Sequence, residues 1–149
     1  GITDVRNFGA VCRSAECAGA QGVIVPQSGA APANEEAMKA SAGALARMTI
    51  CRVRSIFSTV ELLQQSGIQV VATALTDRSI PIFQADFRKP TALLMGSEGT
   101  GVHPKLLKMA DVVAKIPQAS AFDSFNVSVA AGIALYEVMR QRLIAAHPA

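Results

Sequence analysis

The chain has no tryptophan, one tyrosine and six phenylalanines among its 149 residues. So few rings leave little surface on which unpaired bases could stack, and selection of a nucleic-acid sequence by this chain alone is not favoured. Histidine is equally scarce at two residues, and the three cysteines, Cys12, Cys17 and Cys51, form an odd number without paired-ligand spacing. A disulfide scaffold and a zinc site are both disfavoured, no metal is expected, and reduced thiols fit a cytoplasmic protein. No apolar run approaches the roughly 20 residues that cross a bilayer, so no membrane partner is expected. The first residues lack the charged-then-apolar pattern of a signal peptide, which argues against secretion. Repeats, low-complexity tracts and internal linkers are missing too.

What is abundant is apolar surface. Half of the residues are hydrophobic and the mean hydropathy is +0.32. One domain of this size cannot bury all of that in a single core, so a subunit interface is expected beside the core. The net charge of +3 permits a polyanionic partner without demanding one.

Taken in order, the chain alternates helical and β-branched segments. Thr3 and Asp4 are capping types before a helix over Val5–Ala18, which Gly19 ends. A strand over Gly22–Val25 stops at Pro26, residues 28–33 read as loop, and Asn34 caps a short helix over residues 35–39 before an interruption at residues 41–44. Met48–Val53 reads as a strand, and Ser58 with Glu61 forms a capping-box pattern for a helix ending at Gly67. Strands follow at Gln69–Leu75 and Thr91–Met95, separated by an irregular stretch from Thr76 to Lys89. A short helix over Pro104–Met109 leads into a strand over Asp111–Ile116, and the chain closes on a long helix from Val127 to Arg142. This alternation argues for one α/β domain with a parallel sheet.

The last helix is apolar on nearly every side over its first three turns, through Val127, Val129, Ala130, Ala131, Ile133, Ala134, Leu135, Val138 and Met139. A helix covered on one face only would show a polar stripe. Cover from the sheet and from a second subunit is therefore expected.

Three polar constellations stand out. Asn7-Phe-Gly-Ala-Val-Cys-Arg13-Ser14 lies on the first helix; taken alone it reads as a capping asparagine and a surface arginine. Gly96-Ser-Glu98-Gly-Thr-Gly101 directly follows a strand, and its glycines allow close approach of a ligand. Its spacing fits neither the dinucleotide fingerprint nor a P-loop, and the carboxylate of Glu98 disfavours a phosphate. The third runs from Ile116-Pro117 through Ser120 and Asp123 to Ser124-Phe125-Asn126, where Ser124 or Asn126 can cap the last helix. Two Gly-, Ser- and Asn-rich loops after neighbouring strands suit a ligand bearing adenine or ribose at the carboxyl end of a sheet.

In this order, the three segments resemble the motifs of the SpoU/TrmH family in the SPOUT superfamily of RNA methyltransferases. The match is Asn7-x-Gly-Ala-Val-x-Arg13-Ser14, Gly96-x-Glu98-x-x-Gly101 and Ile116-Pro117 followed by Ser124-x-Asn126-Val-Ser128; Lys39-Ala-Ser41-Ala-Gly43-Ala also looks like a family feature. The resemblance implies an α/β fold with a deep C-terminal trefoil knot, a homodimer, and methyl transfer from S-adenosylmethionine to a ribose 2′-hydroxyl of tRNA or rRNA. It places the cofactor on Leu94, Met95, Gly96, Ser97, Glu98 and Gly101 and on Ile116, Gln118, Ser124, Phe125 and Asn126, held mainly by backbone groups. It places Asn7, Arg13, Glu98, Ser124 and Asn126 around the reacting ribose. A knotted dimer that binds RNA or a nucleotide without transferring methyl groups is the alternative, and a base-methylating enzyme a further one. Gln118, Ser120 and Phe125 stand where the family favours Met, Gly and Leu. The family also carries an apolar strand before its first motif, and many members an RNA-binding domain; residues 1–149 read as the catalytic domain without either.

Overall fold

The computed structural model describes residues 5–27, 43, 47–97, 100–121 and 123–147. The capping residues Thr3, Asp4 and Asn34, the helix expected over residues 35–39 and Glu98 lie outside these.

The described elements are α1 (Val5–Cys17), β1 (Val23–Pro26), β2 (Ile50–Val53), α2 (Ile56–Gln65), β3 (Gln69–Thr73), β4 (Ile80–Pro81), a 3₁₀ turn (Ile82–Gln84), β5 (Thr91–Leu94), α3 (Pro104–Met109), β6 (Val112–Lys115) and α4 (Val127–Ala146). All pairings between the described strands are parallel. β1 pairs with β2, and a separate four-stranded sheet runs in the order β4-β6-β3-β5. Parallel strands need crossovers: residues 74–90, with β4 and the 3₁₀ turn, link β3 to β5, and α3 lies on the way from β5 to β6.

Alternation along the strands divides the core into two layers. Val70, Ala72 and Val113 face a cluster with Val60 of α2, Leu106 of α3, Val102 and Ala110. Val71 and Ala114 face the other way, onto Ile82, Ala85, Phe87 and Ala134 of α4. β3, β5 and β6 are thus covered on both faces, which is why they read as continuous apolar runs. Phe87, Val71 and Ala114 are fully buried; truncating Phe87 to alanine would cost about 3–5 kcal/mol in transfer energy and cavity. On α1, Phe8, Cys12 and Ala15 are buried at i, i+4 and i+7, and the helix leans on α4. Burial pushes the Cys12 thiol up to about 11.

Two local expectations are corrected. α2 starts earlier than the capping box implied: Ser55 is the cap, its hydroxyl accepting from the Ser58 amide at 3.2 Å, and Ser58 sits inside the first turn. The stretch Thr76–Lys89 is not wholly irregular. Ile80–Pro81 adds an edge strand to β6, a position proline tolerates because an edge strand has amides with no ladder partner.

The C-terminal helix is buried through Ala131, Ala134 and Glu137, while Val129, Tyr136, Leu143 and Ile144 are each half exposed or more. Val129, Tyr136 and Leu143 recur every seven residues and so line one stripe, opposite the buried residues. The sheet and α1 cover two sides, and this third side faces water in the single chain.

Candidate active site

Because β5, β3 and β6 are parallel and adjacent, their carboxyl ends open on one rim, with β3 in the middle. Hydrogen bonds stitch these ends together. The Thr73 hydroxyl donates to Leu94 O, and the Ala74 amide donates to Ala114 O at 3.0 Å. The two loops read from sequence as ligand-bearing therefore spring from either side of one strand. That is the crevice geometry in which α/β sheets hold ligands.

The loop after β5 closes on itself. Ser97 and Gly101 exchange backbone hydrogen bonds at 3.0 and 3.3 Å, and the Ser97 and Thr100 hydroxyls lie 2.5 Å apart. Gly101 holds φ at +71°, a left-handed conformation that strains other residues. Gly96 is required for a different reason, since a Cβ there would lie 2.4 Å from the Gly101 carbonyl carbon. The loop can be this tight only with glycine at both ends.

The loop after β6 leaves the sheet at half-buried Ile116, and its described residues from Pro117 to Asn126 are exposed. Gln118, one of the departures from the family pattern, closes this loop from within. Its amide donates to Ser120 O at 3.1 Å and to Asp123 O at 2.5 Å. Asp123 in turn accepts from the Ser124 amide at 2.8 Å. Of the two possible caps for α4, Asn126 serves, with its carbonyl oxygen accepting from the Ser128 amide and hydroxyl at 2.9 and 2.6 Å. Ser124 is exposed beside it, and so is the ring of Phe125 at 42%.

The rim brings together Leu94, Met95, Gly96, Ser97 and Gly101 from one loop with Ile116, Gln118, Ser124, Phe125 and Asn126 from the other. Asn7 and Arg13 lie on α1, outside these two loops. α1 packs on α4, with the Ser14 hydroxyl 3.7 Å from where a Cβ on Gly132 would stand. Gly132 is six residues beyond Asn126, about 9 Å of helix rise, and Arg13 next to Ser14 is exposed. No ion pair or hydrogen bond ties Arg13 to the two loops among the described residues.

Sequence reasoning missed a third segment. Strand order puts the end of β3 between the two loops, so Ala74, Leu75 and Thr76 belong to the rim, and Leu75 is 84% exposed there. Leu75 reads from sequence as the last residue of a strand. Its signal was only that an apolar residue stands directly before Thr76-Asp77.

An open parallel sheet with a glycine loop and a helix-capping loop on neighbouring strand ends defines an α/β small-molecule site. The comparisons make the class specific. Residues 1–136 match the SpoU rRNA Methylase family, and the chain belongs to it. It is similar to the 23S rRNA (guanosine-2'-O-)-methyltransferase RlmB of Pseudomonas aeruginosa, 40% identical over 142 residues that make up 95% of this chain and 57% of that protein. Among solved structures, it resembles the AdoMet-bound rRNA methyltransferase from Sinorhizobium meliloti, with a TM-score of 0.86 at 35% identity over 93% of this chain and 53% of that one. It also resembles the A. aeolicus TrmH/SpoU tRNA modifying enzyme, with a TM-score of 0.89 at 30% identity over 98% and 74% of the two chains. The chain spans little more than half the length of the curated relatives, 57% and 58% for the first two.

Proposed function

We propose that the chain is the catalytic domain of an RNA methyltransferase that transfers a methyl group from S-adenosylmethionine to a ribose 2′-hydroxyl of rRNA or tRNA. The observation that carries this is the rim itself: two family motifs and the end of β3 meet on three stitched strand ends.

The residues present fit the cofactor. Tight backbone around Gly96 and Gly101, amides and hydroxyls of Ser97, Ser124 and Asn126, and the apolar rim of Leu75, Met95, Ile116 and Phe125 suit an adenosine with a short polar tail. When bound, S-adenosylmethionine supplies an electrophilic methyl group on a sulfonium. The protein's share is to place the hydroxyl in line and to support charge as it loses its proton. Asn7, Glu98, Ser124 and Asn126 bind and orient the ribose. Arg13 grips the ribose and its neighbouring phosphate and stabilises developing oxyanion charge, because a guanidinium is a poor base but a good planar donor.

The same reading includes a homodimer on the exposed stripe of Val129, Tyr136 and Leu143. Arg13 is exposed on α1 and no described bond ties it to the two loops, which supports a site completed by residues of two subunits. A trefoil knot at β6 and α4 and a cytoplasmic location belong to the reading as well. Among the described residues no helix is long and apolar enough to cross a membrane.

Calorimetry with S-adenosylmethionine, followed by transfer of labelled methyl to total rRNA and tRNA, tests the proposal. Heat with label in ribose is expected. Heat without label would favour the non-catalytic binder, and neither would overturn the reading. Arg13→Lys should lower turnover about 100-fold while sparing cofactor heat; near-wild-type turnover would remove the guanidinium from the mechanism.

A further inference from the structure

Resting on the RNA reading above, we infer that Arg54 and Lys105, with the neutral His103 ring as a further donor, form a cationic ledge beside the cofactor crevice, and that this ledge takes the phosphodiester backbone of the RNA. The topology places it. α2 begins just after the carboxyl end of β2, and α3 begins three residues after Gly101, so both helices start on the rim where the strands end. The two starts touch: the Phe57 and His103 rings meet edge to face at 5.4 Å, and the Lys105 ammonium lies 4.6 Å from the centre of the Phe57 ring. Arg54 is three residues before Phe57, in the turn that enters α2.

The charges here are not neutralised, and that of Lys105 is also held in place. A ring face orients an ammonium but carries no net charge, so Lys105 keeps its full attraction for an anion. Arg54 is exposed and has no ion pair or hydrogen bond among the described residues. His103 accepts the Lys105 amide on Nδ1 at 3.1 Å, so the proton of its ring is on Nε2, a donor suited to a phosphate oxygen. The nearest carboxylate on α2, Glu61, is one turn beyond Phe57 and forms no described pair with Lys105. Arg88 and Arg140 differ in this respect, each being spent on a carboxylate at 2.9 and 2.7 Å and so presenting little net charge. A ledge of unneutralised donors a few residues from Gly101, with His103 and Lys105 held on Phe57, suits the regularly spaced anions of a nucleic-acid strand entering the site. It reads no base, in keeping with the shortage of aromatic residues.

The double variant Arg54→Gln/Lys105→Gln tests this in the full chain. Filter binding of two RNA hairpins of unrelated sequence would be followed from 50 to 300 mM KCl, with S-adenosylmethionine affinity measured in parallel. The expected result is binding about 10-fold weaker at low salt for both hairpins, and a log–log salt slope smaller by about one for each phosphate that is no longer neutralised. Cofactor affinity and the thermal midpoint should not change. Phe57→Leu, which frees Lys105 but keeps its charge, should weaken RNA binding about 2-fold with little change of slope. An unchanged slope in the double variant, or no RNA binding by the wild-type chain at 50 mM KCl, would overturn the ledge. Failure of the methyltransferase reading would look different, as RNA binding with this salt dependence but no cofactor heat.

Discussion

The two ends of the central sheet are held by different kinds of bond. At the crevice, loops are closed by neighbours in sequence: Gln118 reaches two and five residues along the chain, Ser97 reaches three to Thr100, and Asn126 reaches two to Ser128. At the far end, the segment Ala85–Lys89 is fastened to α4 by residues more than fifty positions away. Gln141 donates to Ala85 O and accepts from the Phe87 amide, and Arg142 donates to Phe87 O and Lys89 O. Beside them Glu137 and Arg140 form a two-toothed ion pair at 2.7 Å, and Gln141 adds a third bond to Glu137. Local bonds cost little loop-closure entropy but contribute little to global stability, whereas the distant ones exist only in the folded chain. The crevice is therefore free to adjust around a ligand on a frame that is locked elsewhere.

The sharpest way to break this separation is Gly96→Ala. The new methyl would press on the Gly101 backbone, so the loop must open, and cofactor affinity should fall about 100-fold, equal to about 2.7 kcal/mol. The thermal midpoint should move by no more than about 3 °C, because the loop carries little of the fold. Calorimetry and thermal circular dichroism together check both halves; a large drop in stability would mean that the crevice loops also hold the frame.

Gln141→Leu should do the reverse. It leaves the Ala85 carbonyl and the Phe87 amide without partners, at about 2 kcal/mol, so the midpoint should fall by about 4–8 °C with cofactor heat preserved. The acid limb of stability reports on the same region. The Arg140 hydrogen bonds hold the Glu137 carboxyl below its ordinary 4.5, against burial, with help from Gln141. A depressed carboxylate stabilises the fold above its unfolded value, and that contribution is lost as pH falls through the lower folded value. Glu137→Gln should therefore cost about 1 kcal/mol at neutral pH, since Arg140 is 40% exposed. The deficit should shrink progressively below about pH 4.5, as followed by thermal melts between pH 3 and 7.

The smallest expected effect is that of Gln118→Met, which restores the residue the family favours. Removing a clasp to two exposed carbonyls should weaken cofactor binding about 3-fold and leave stability within about 0.5 kcal/mol. Unchanged affinity would show that the ligand arranges this loop unaided.

Much of this was legible because its causes are local. Pro104 and the apolar run after Asp111 marked α3 and β6, and two of the three motifs named the two loops of the crevice. Capping was legible as a choice, Ser124 or Asn126, that only backbone geometry could resolve; at α2 the Ser58-Glu61 pattern was outcompeted by Ser55 one turn earlier. Not legible was whatever depends on distant pairing. A two-residue strand such as Ile80–Pro81 has no periodicity to detect, and nothing local announces that β6 lies beside β3. That pairing order is what turns Leu75 from the end of a strand into part of the crevice. The internal clasp of Gln118 was visible only as an unusual residue at a sensitive place.

The strand order also has a consequence for how the protein comes off the ribosome. β3 is synthesised early, β5 joins one flank, and the other flank stays vacant until residues 112–115 arrive, followed by the loop and α4. No shorter nascent chain possesses both walls of the crevice. Capture of S-adenosylmethionine would then select chains extended past the loop after β6, adding its stabilisation only to them.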